Sequence, residues 1–263
     1  MSIVRANGVD LHVEEIAPVG EPTGTAVLIH GMTSDSMASW FLTLAHPLAQ
    51  AGLRVLLYDL RGHGHSARPA TGYSLNHFVR DLDALLEEHW KVDGPIHLFG
   101  NSFGGTVAFS YAARHPERVA GIVAIESAPP TDAWFGRMAR RLAHAAETIA
   151  DAEAVLNSRP LIARRIKYTT TLLAETSIGV ELPESALPDP ATIQAIDRPV
   201  LCLYGGESAV QELASETERL LPQSRHVVVA GQGHTLLIKD PERVRAEVLP
   251  WLASSVHRLT PGG

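Results

Sequence analysis

Short apolar runs alternate along the chain with longer stretches in which apolar residues recur every three or four positions. Strands buried on both faces read as near-continuous apolar segments, so this alternation predicts a mostly parallel sheet flanked by helices, an α/β architecture. Strands are expected at Leu11–Glu14, Ala26–His30, Arg54–Tyr58, Ile96–Phe99, Val119–Ile125, Val200–Tyr204 and His226–Val229. Between them, Phe78, Leu82, Leu85, Leu86 and His89 fall at helical spacing behind Ser74, a residue type suited to a helix N-cap. Helices are also expected over Thr106–Arg114 and Pro241–Ala253, and no internal repeat is present.

One interval breaks the rhythm. Residues 127–196 contain no convincing strand, and Trp134, Met138, Leu142 and Ala145 recur as on an amphipathic helix. A second helical piece is expected over Asp151–Ser158, followed by a turn-rich exit at Pro183, Pro188 and Pro190. The expected organisation is a core built from residues 1–126 and 197–263, with residues 127–196 forming a helical cap over one edge of the sheet.

At 263 residues, 45% hydrophobic and 19% charged, the chain fits one sizeable globular domain. The net charge of -7, without a dense basic run, argues against nucleic acid as a partner. Cys202 is the only cysteine and lies in an apolar run, so it is read as a buried thiol. Residues 1–16 lack the apolar segment of a secretory leader, and no stretch approaches the ~18 apolar residues of a membrane span. A cytoplasmic location without membrane attachment is therefore expected. A homodimer is left open.

The strongest chemical signal is Gly100-Asn101-Ser102-Phe103-Gly104, placed between an expected strand and an expected helix. A serine at a sharp strand-to-helix turn presents its hydroxyl clear of the sheet. Small residues two before and two after it permit the strained backbone and the close packing of helix on strand. The new helix also aims its free N–H groups at a developing negative charge. His30-Gly31-Met32, at the end of an earlier strand, is placed to supply a second donor: the Met32 N–H would join that of Phe103 in an oxyanion hole. The third element is His234, preceded by Gly231-Gln232-Gly233 on a loop after the last strand. A serine hydroxyl needs a base that titrates near neutral pH, which imidazole supplies.

These motifs in this order, together with Asp59-Leu60-Arg61-Gly62-His63-Gly64 and the tail Lys239-Asp240-Pro241-Glu242-Arg243-Val244, resemble the α/β-hydrolase family over nearly the whole chain. The resemblance implies an eight-stranded, mostly parallel sheet and a Ser-His-acid triad that needs no cofactor and no metal. It also implies that Asp59–Gly64 is a structural turn. His63 and His65 lack the carboxylate-plus-histidine pattern that would make them a metal site.

The family ordinarily places its acid in a G-x-x-D turn after the strand that is here Val200–Tyr204, but this chain reads Gly205-Gly206-Glu207-Ser208. Serine cannot supply the charge that orients an imidazole and stabilises its protonated form. Glu126, at the end of the preceding strand, is favoured as the replacement over Glu207. A minority of the family carries its acid there, as in fungal zearalenone lactone hydrolases and some haloalkane dehalogenases.

The expected function is hydrolysis of a medium-sized hydrophobic ester or lactone through an acyl-enzyme on Ser102, with Gly31, Trp134 and Met138 contacting the substrate. Trp134, Phe135, Met138 and Leu142 equally fit plain packing of the cap onto the sheet. Arg137, Arg140 and Arg141 could meet a substrate carboxylate, but they are read first as solvated helix charges. Two other readings stay open. Gly100-Asn101-Ser102-Phe103-Gly104-Gly105 resembles hydrolases that cleave C–C bonds in ring-cleavage products, although those keep the usual aspartate. A ligand receptor on a degenerate hydrolase scaffold is the non-enzymatic alternative.

Overall fold

The computed structural model describes residues 2–147 and 160–259. Its centre is an eight-stranded sheet: β1 (Ser2–Ala6), β2 (Val9–Ile16), β3 (Gly24–Ile29), β4 (Leu53–Tyr58), β5 (Ile96–Asn101), β6 (Val119–Ile125), β7 (Val200–Gly205) and β8 (Arg225–Val229). The spatial order is β1-β2-β4-β3-β5-β6-β7-β8. The pairs β1–β2 and β2–β4 are antiparallel and all the others parallel. All seven expected strands form. The eighth, β1, escaped the reading because it is a short edge strand with mostly exposed residues. It is joined to β2 by Asn7 and Gly8, both at positive φ (44° and 76°), as a two-residue hairpin turn demands.

Period-two alternation sorts the strand residues onto two cores. Val27, Ile29, Leu98, Ile122, Cys202 and Tyr204 face one side, and Ala26, Leu28, Phe99, Val123, Leu201 and Leu203 the other. On the second side lie helix α1 (residues 38–50, with a π-helical turn over Phe41–Ala45) and the final helix, Pro241–Leu259. On the first lie α2 (residues 75–89, π-helical from Leu85) and α3 (Phe103–Arg114). Ser74 precedes α2 as expected, but its Oγ pairs with His77 Nδ1 at 2.8 Å and does not cap the helix backbone.

Among the described residues, no strand falls between 127 and 196. Helix α4 (Asp132–Glu147) follows the expected amphipathic stripe and buries Trp134, Phe135, Met138 and Leu142. The piece expected over Asp151–Ser158 lies outside the described residues. A further helix, α5 (Pro160–Glu175), was not read from the sequence; it packs on α4 and buries Leu172.

The strand order places the site. From β3 the chain steps to β4 on one side, then crosses back to β5 on the other, so the order reverses between β3 and β5. Loops leaving the carboxyl ends of adjacent strands diverge at such a point and leave a crevice. Those two loops carry Met32 and Ser102.

Two buried histidines tie the fold to pH. Burial pulls the His97 pKa down to about 4, and burial with the nearby His30 pulls His63 down to about 3. Unfolded, both titrate near 6.5, so below that pH the unfolded chain binds two protons that the folded chain refuses. Stability is therefore expected to fall as pH drops from about 6.5 towards 4, with these two sites contributing a slope of up to about 2.7 kcal/mol per pH unit. Urea unfolding of His97→Leu at pH 7, 6 and 5 should show about half that contribution removed; an unchanged slope would count against the assignment.

Candidate active site

Strand β5 ends at Asn101, and α3 begins at Phe103. Ser102 lies between them at φ 51°, ψ -119°, and its N–H is held by the Ile125 carbonyl at 2.8 Å. A non-glycine residue there costs about 1–3 kcal/mol and persists only where its surroundings enforce it. The enforcement is packing. A Cβ on Gly104 would come 2.1 Å from the Ile29 carbonyl oxygen, and one on Gly100 would come 2.2 Å from Gly105. Only glycine lets the helix approach the strands this closely.

Ser102 Oγ lies 3.0 Å from His234 Nε2, and His234 Nδ1 lies 3.0 Å from Glu126 Oε2. Glu126 follows β6 at φ 54° and is fully buried. Its Oε1 accepts the Gly205 N–H, and its Oε2 accepts the Ser208 hydroxyl as well as His234. A buried carboxylate would be costly unpartnered; here three donors from two elements offset the lost hydration. Ser208 occupies the position where the resemblance would put an acid, and its hydroxyl donates to Glu126. Glu207 is exposed and meets the site only through its backbone N–H, which donates to the Gln232 carbonyl at 2.9 Å.

The opposite wall is the loop after β3. The Gly31 N–H is spent on Asp35 Oδ2 at 2.7 Å, and Asn101 Nδ2–H donates to the same oxygen at 3.2 Å. The N–H groups of Met32 and of Phe103, the first residue of α3, have no acceptor among the described residues. Thr33, at φ 68°, is held by its N–H donating to His63 Nε2 at 2.9 Å, while His63 Nδ1 faces the Arg61 carbonyl at 2.9 Å. Both nitrogens of His63 thus brace backbone. Asp59 works in the same way, accepting the N–H groups of Met37 and His65. Asp35, Asn101 and Ser208 as supports are what the sequence reading missed. No local motif marks a residue whose only work is to hold a loop.

Ser102 and His234 open on a cavity of about 500 Å³ whose walls include Gly31, Met32, Phe103, Trp134 and Met138. Trp134 is only 1% exposed, and its Nε1–H donates to Thr106 Oγ1 of α3 at 2.5 Å, so it anchors α4 at least as much as it lines the cavity. Of the five non-glycine residues with positive φ among the described residues, three (Thr33, Ser102 and Glu126) lie at this one place. Strain concentrated there marks a site that the surrounding fold over-determines.

A family model described as alpha/beta hydrolase fold matches residues 26–186. The chain is 30% identical over 241 residues to the 2-(acetamidomethylene)succinate hydrolase of Mesorhizobium japonicum, covering 82% of this chain and 83% of that protein. It is 36% identical over 124 residues to the lipase LipV of Mycobacterium tuberculosis, covering 47% of this chain. In two curated relatives the match covers less than two thirds of the relative's own length, 64% and 44%. A solved thermophilic esterase from Thermogutta terrifontis superposes with a TM-score of 0.73 at 25% identity, covering 97% of this chain and 99% of that one. Esterases, lipases and other hydrolases recur among the relatives, which supports a hydrolase. No described helix is long and apolar enough to cross a membrane. With the family match spanning more than half of its length, the chain belongs to the α/β hydrolase fold family.

Proposed function

We propose that the chain is a serine hydrolase that cleaves a carboxylic ester or lactone by two-step acyl transfer. The observation that carries this reading is the unbroken relay from Ser102 Oγ through both nitrogens of His234 to Glu126, at the wall of a cavity. Ser102 Oγ attacks the carbonyl carbon as its proton passes to His234 Nε2. The oxyanion is held by the Met32 and Phe103 N–H groups. The imidazolium keeps its orientation through Nδ1–H to Glu126 and returns the Nε2 proton to the leaving alkoxide. A water then loses its proton to the same nitrogen, attacks the acyl carbon and restores the serine. A serine nucleophile sets this site apart from relatives that attack with a carboxylate. The largely apolar walls suit a medium-sized hydrophobic acyl or alkoxy group.

The test is labelling by a fluorophosphonate probe alongside hydrolysis of p-nitrophenyl butyrate. A stoichiometric adduct mapping to the peptide that contains Ser102, with turnover of the ester, is expected. A scaffold that only binds ligands leaves the serine unmodified and the ester intact. Faster turnover of vinylogous diketones than of any ester or lactone would favour C–C bond cleavage.

A further inference from the structure

The cavity carries more positive charge than its apolar walls require. Arg141, Arg165 and Lys239 all line it, in a chain whose formal net charge is -7. The carboxylate among its lining residues, Asp35, is committed to local donors: Oδ2 to Gly31 and Asn101, and Oδ1 to the Ser36 N–H at 2.9 Å. Among the described residues it forms no ion pair with any of the three cations. Arg137, one turn before Arg141, pairs with Glu212 at 2.6 Å, and Arg165 donates from Nε to Ser34 Oγ, a neutral acceptor, at 2.9 Å. Arg141 and Lys239 have no ion-pair partner among the described residues. Arg141 is exposed at the cavity wall; protein around its guanidinium and the nearby Arg137 hold its pKa below the usual value, against a smaller opposing pull from Glu126. A guanidinium at a cavity wall, beside a like charge and without a direct ion pair, is stabilised when an anion arrives. Arg141 follows Met138 by three residues on α4, which brings it to the cavity side of that helix; Arg140 and Arg141 are both exposed, but Arg140 does not line the cavity.

We propose that this cavity takes an ester or lactone bearing a carboxylate, with Arg141 as its principal counter-ion and Arg165 and Lys239 adding to the positive field. This rests on the hydrolase reading above and narrows its substrate class. Of the three arginines that the sequence offered for a substrate carboxylate, it selects Arg141 and leaves Arg137 and Arg140 as helix charges. The guanidinium is fitted to grip a carboxylate by two parallel N–H···O bonds, whereas Lys239 contributes a point charge.

The test compares mono-p-nitrophenyl glutarate with p-nitrophenyl valerate, which present a similar chain with and without the anion. At low ionic strength the wild-type chain is expected to favour the glutarate ester by about tenfold or more in kcat/KM, with the preference shrinking as salt is added. Arg141→Gln should lower that preference at least about tenfold, mainly through KM. Arg141→Lys should lower it less, and Arg140→Gln should leave it within about twofold. No preference in the wild type, or an equal loss in Arg140→Gln and Arg141→Gln, overturns the anion site while leaving the hydrolase standing. If neither ester is turned over, the hydrolase reading fails. The anion site is then decided by whether glutarate raises the Tm of the wild type and not of Arg141→Gln.

Discussion

Alanine at Ser102 is expected to lower kcat/KM on p-nitrophenyl butyrate by about 10⁶-fold, leaving only the roughly 10³–10⁴-fold over water that oxyanion donors and binding supply. In the proposed mechanism the Ser102 oxygen forms the acyl bond, and among the hydroxyls lining the cavity it is the one hydrogen-bonded to His234. His234→Ala should cost nearly as much, because a serine hydroxyl without its base at 3.0 Å is a poor nucleophile. The double variant should fall only slightly below either single one, since hydroxyl and imidazole act as a unit. Fold loss is a poor alternative explanation. The backbone strain at φ 51° is the same for alanine as for serine, and the Ser102 N–H bond to Ile125 is untouched. Circular dichroism and Tm close to wild type, measured on the same preparations, would establish that. Residual activity above about one percent of wild type would mean that another group carries the chemistry.

Glu126→Gln should lower kcat/KM by about 10⁴-fold, the scale seen when a triad acid loses its charge but keeps its shape. Glutamine retains the volume and a carbonyl oxygen for the Gly205 N–H, and its Nε2–H can donate to a rotated Ser208 hydroxyl, whereas alanine would strand both groups in a buried space. What it loses is the negative charge facing His234 Nδ1. Glu207→Ala, at an exposed position, should stay within about threefold of wild type. A rescue sharpens the test. Ser208 Oγ and His234 Nδ1 both bond to the same atom, Glu126 Oε2, so both sit within one hydrogen-bond length of it. Adding Ser208→Asp to Glu126→Gln should therefore return a carboxylate to the imidazole and recover at least tenfold of the lost activity. Loss of most activity in Glu207→Ala, with Glu126→Gln little affected, would move the acid to Glu207.

Much of this protein is legible residue by residue. The strands that form the parallel part of the sheet are announced by their apolar runs, because burial on both faces leaves no polar alternation to blur them. The weak spots have equally physical causes. Strand β1 buries too little surface to show in composition, although Asn7-Gly8 marks the hairpin that holds it. Helix α5 contains Thr169, Thr170 and Thr171, β-branched residues that lower local helix propensity, and packing against α4 overrides them. The helical excursion between β6 and β7 is visible as an absence of strands, but which of its charges face the cavity is not.

The sequence alone determined those features whose cause lies within a few contiguous residues. The bend at Ser102 belongs here, because its glycines are needed wherever that helix meets that strand. So does the serine at 208, read locally as standing where the resemblance puts an acid. Only the tertiary structure decided the convergence. Ser102 and His234 are 132 residues apart, and Glu126 and His234 are 108 apart. Their meeting depends on the order in which strands pair, which is set by packing both faces of the sheet at once. The same holds for Asp35, tied to Asn101 across 66 residues, and for the side of α4 that carries Arg141. No local pattern encodes those separations, since the free energy that enforces them comes from surfaces that exist only once the chain has closed.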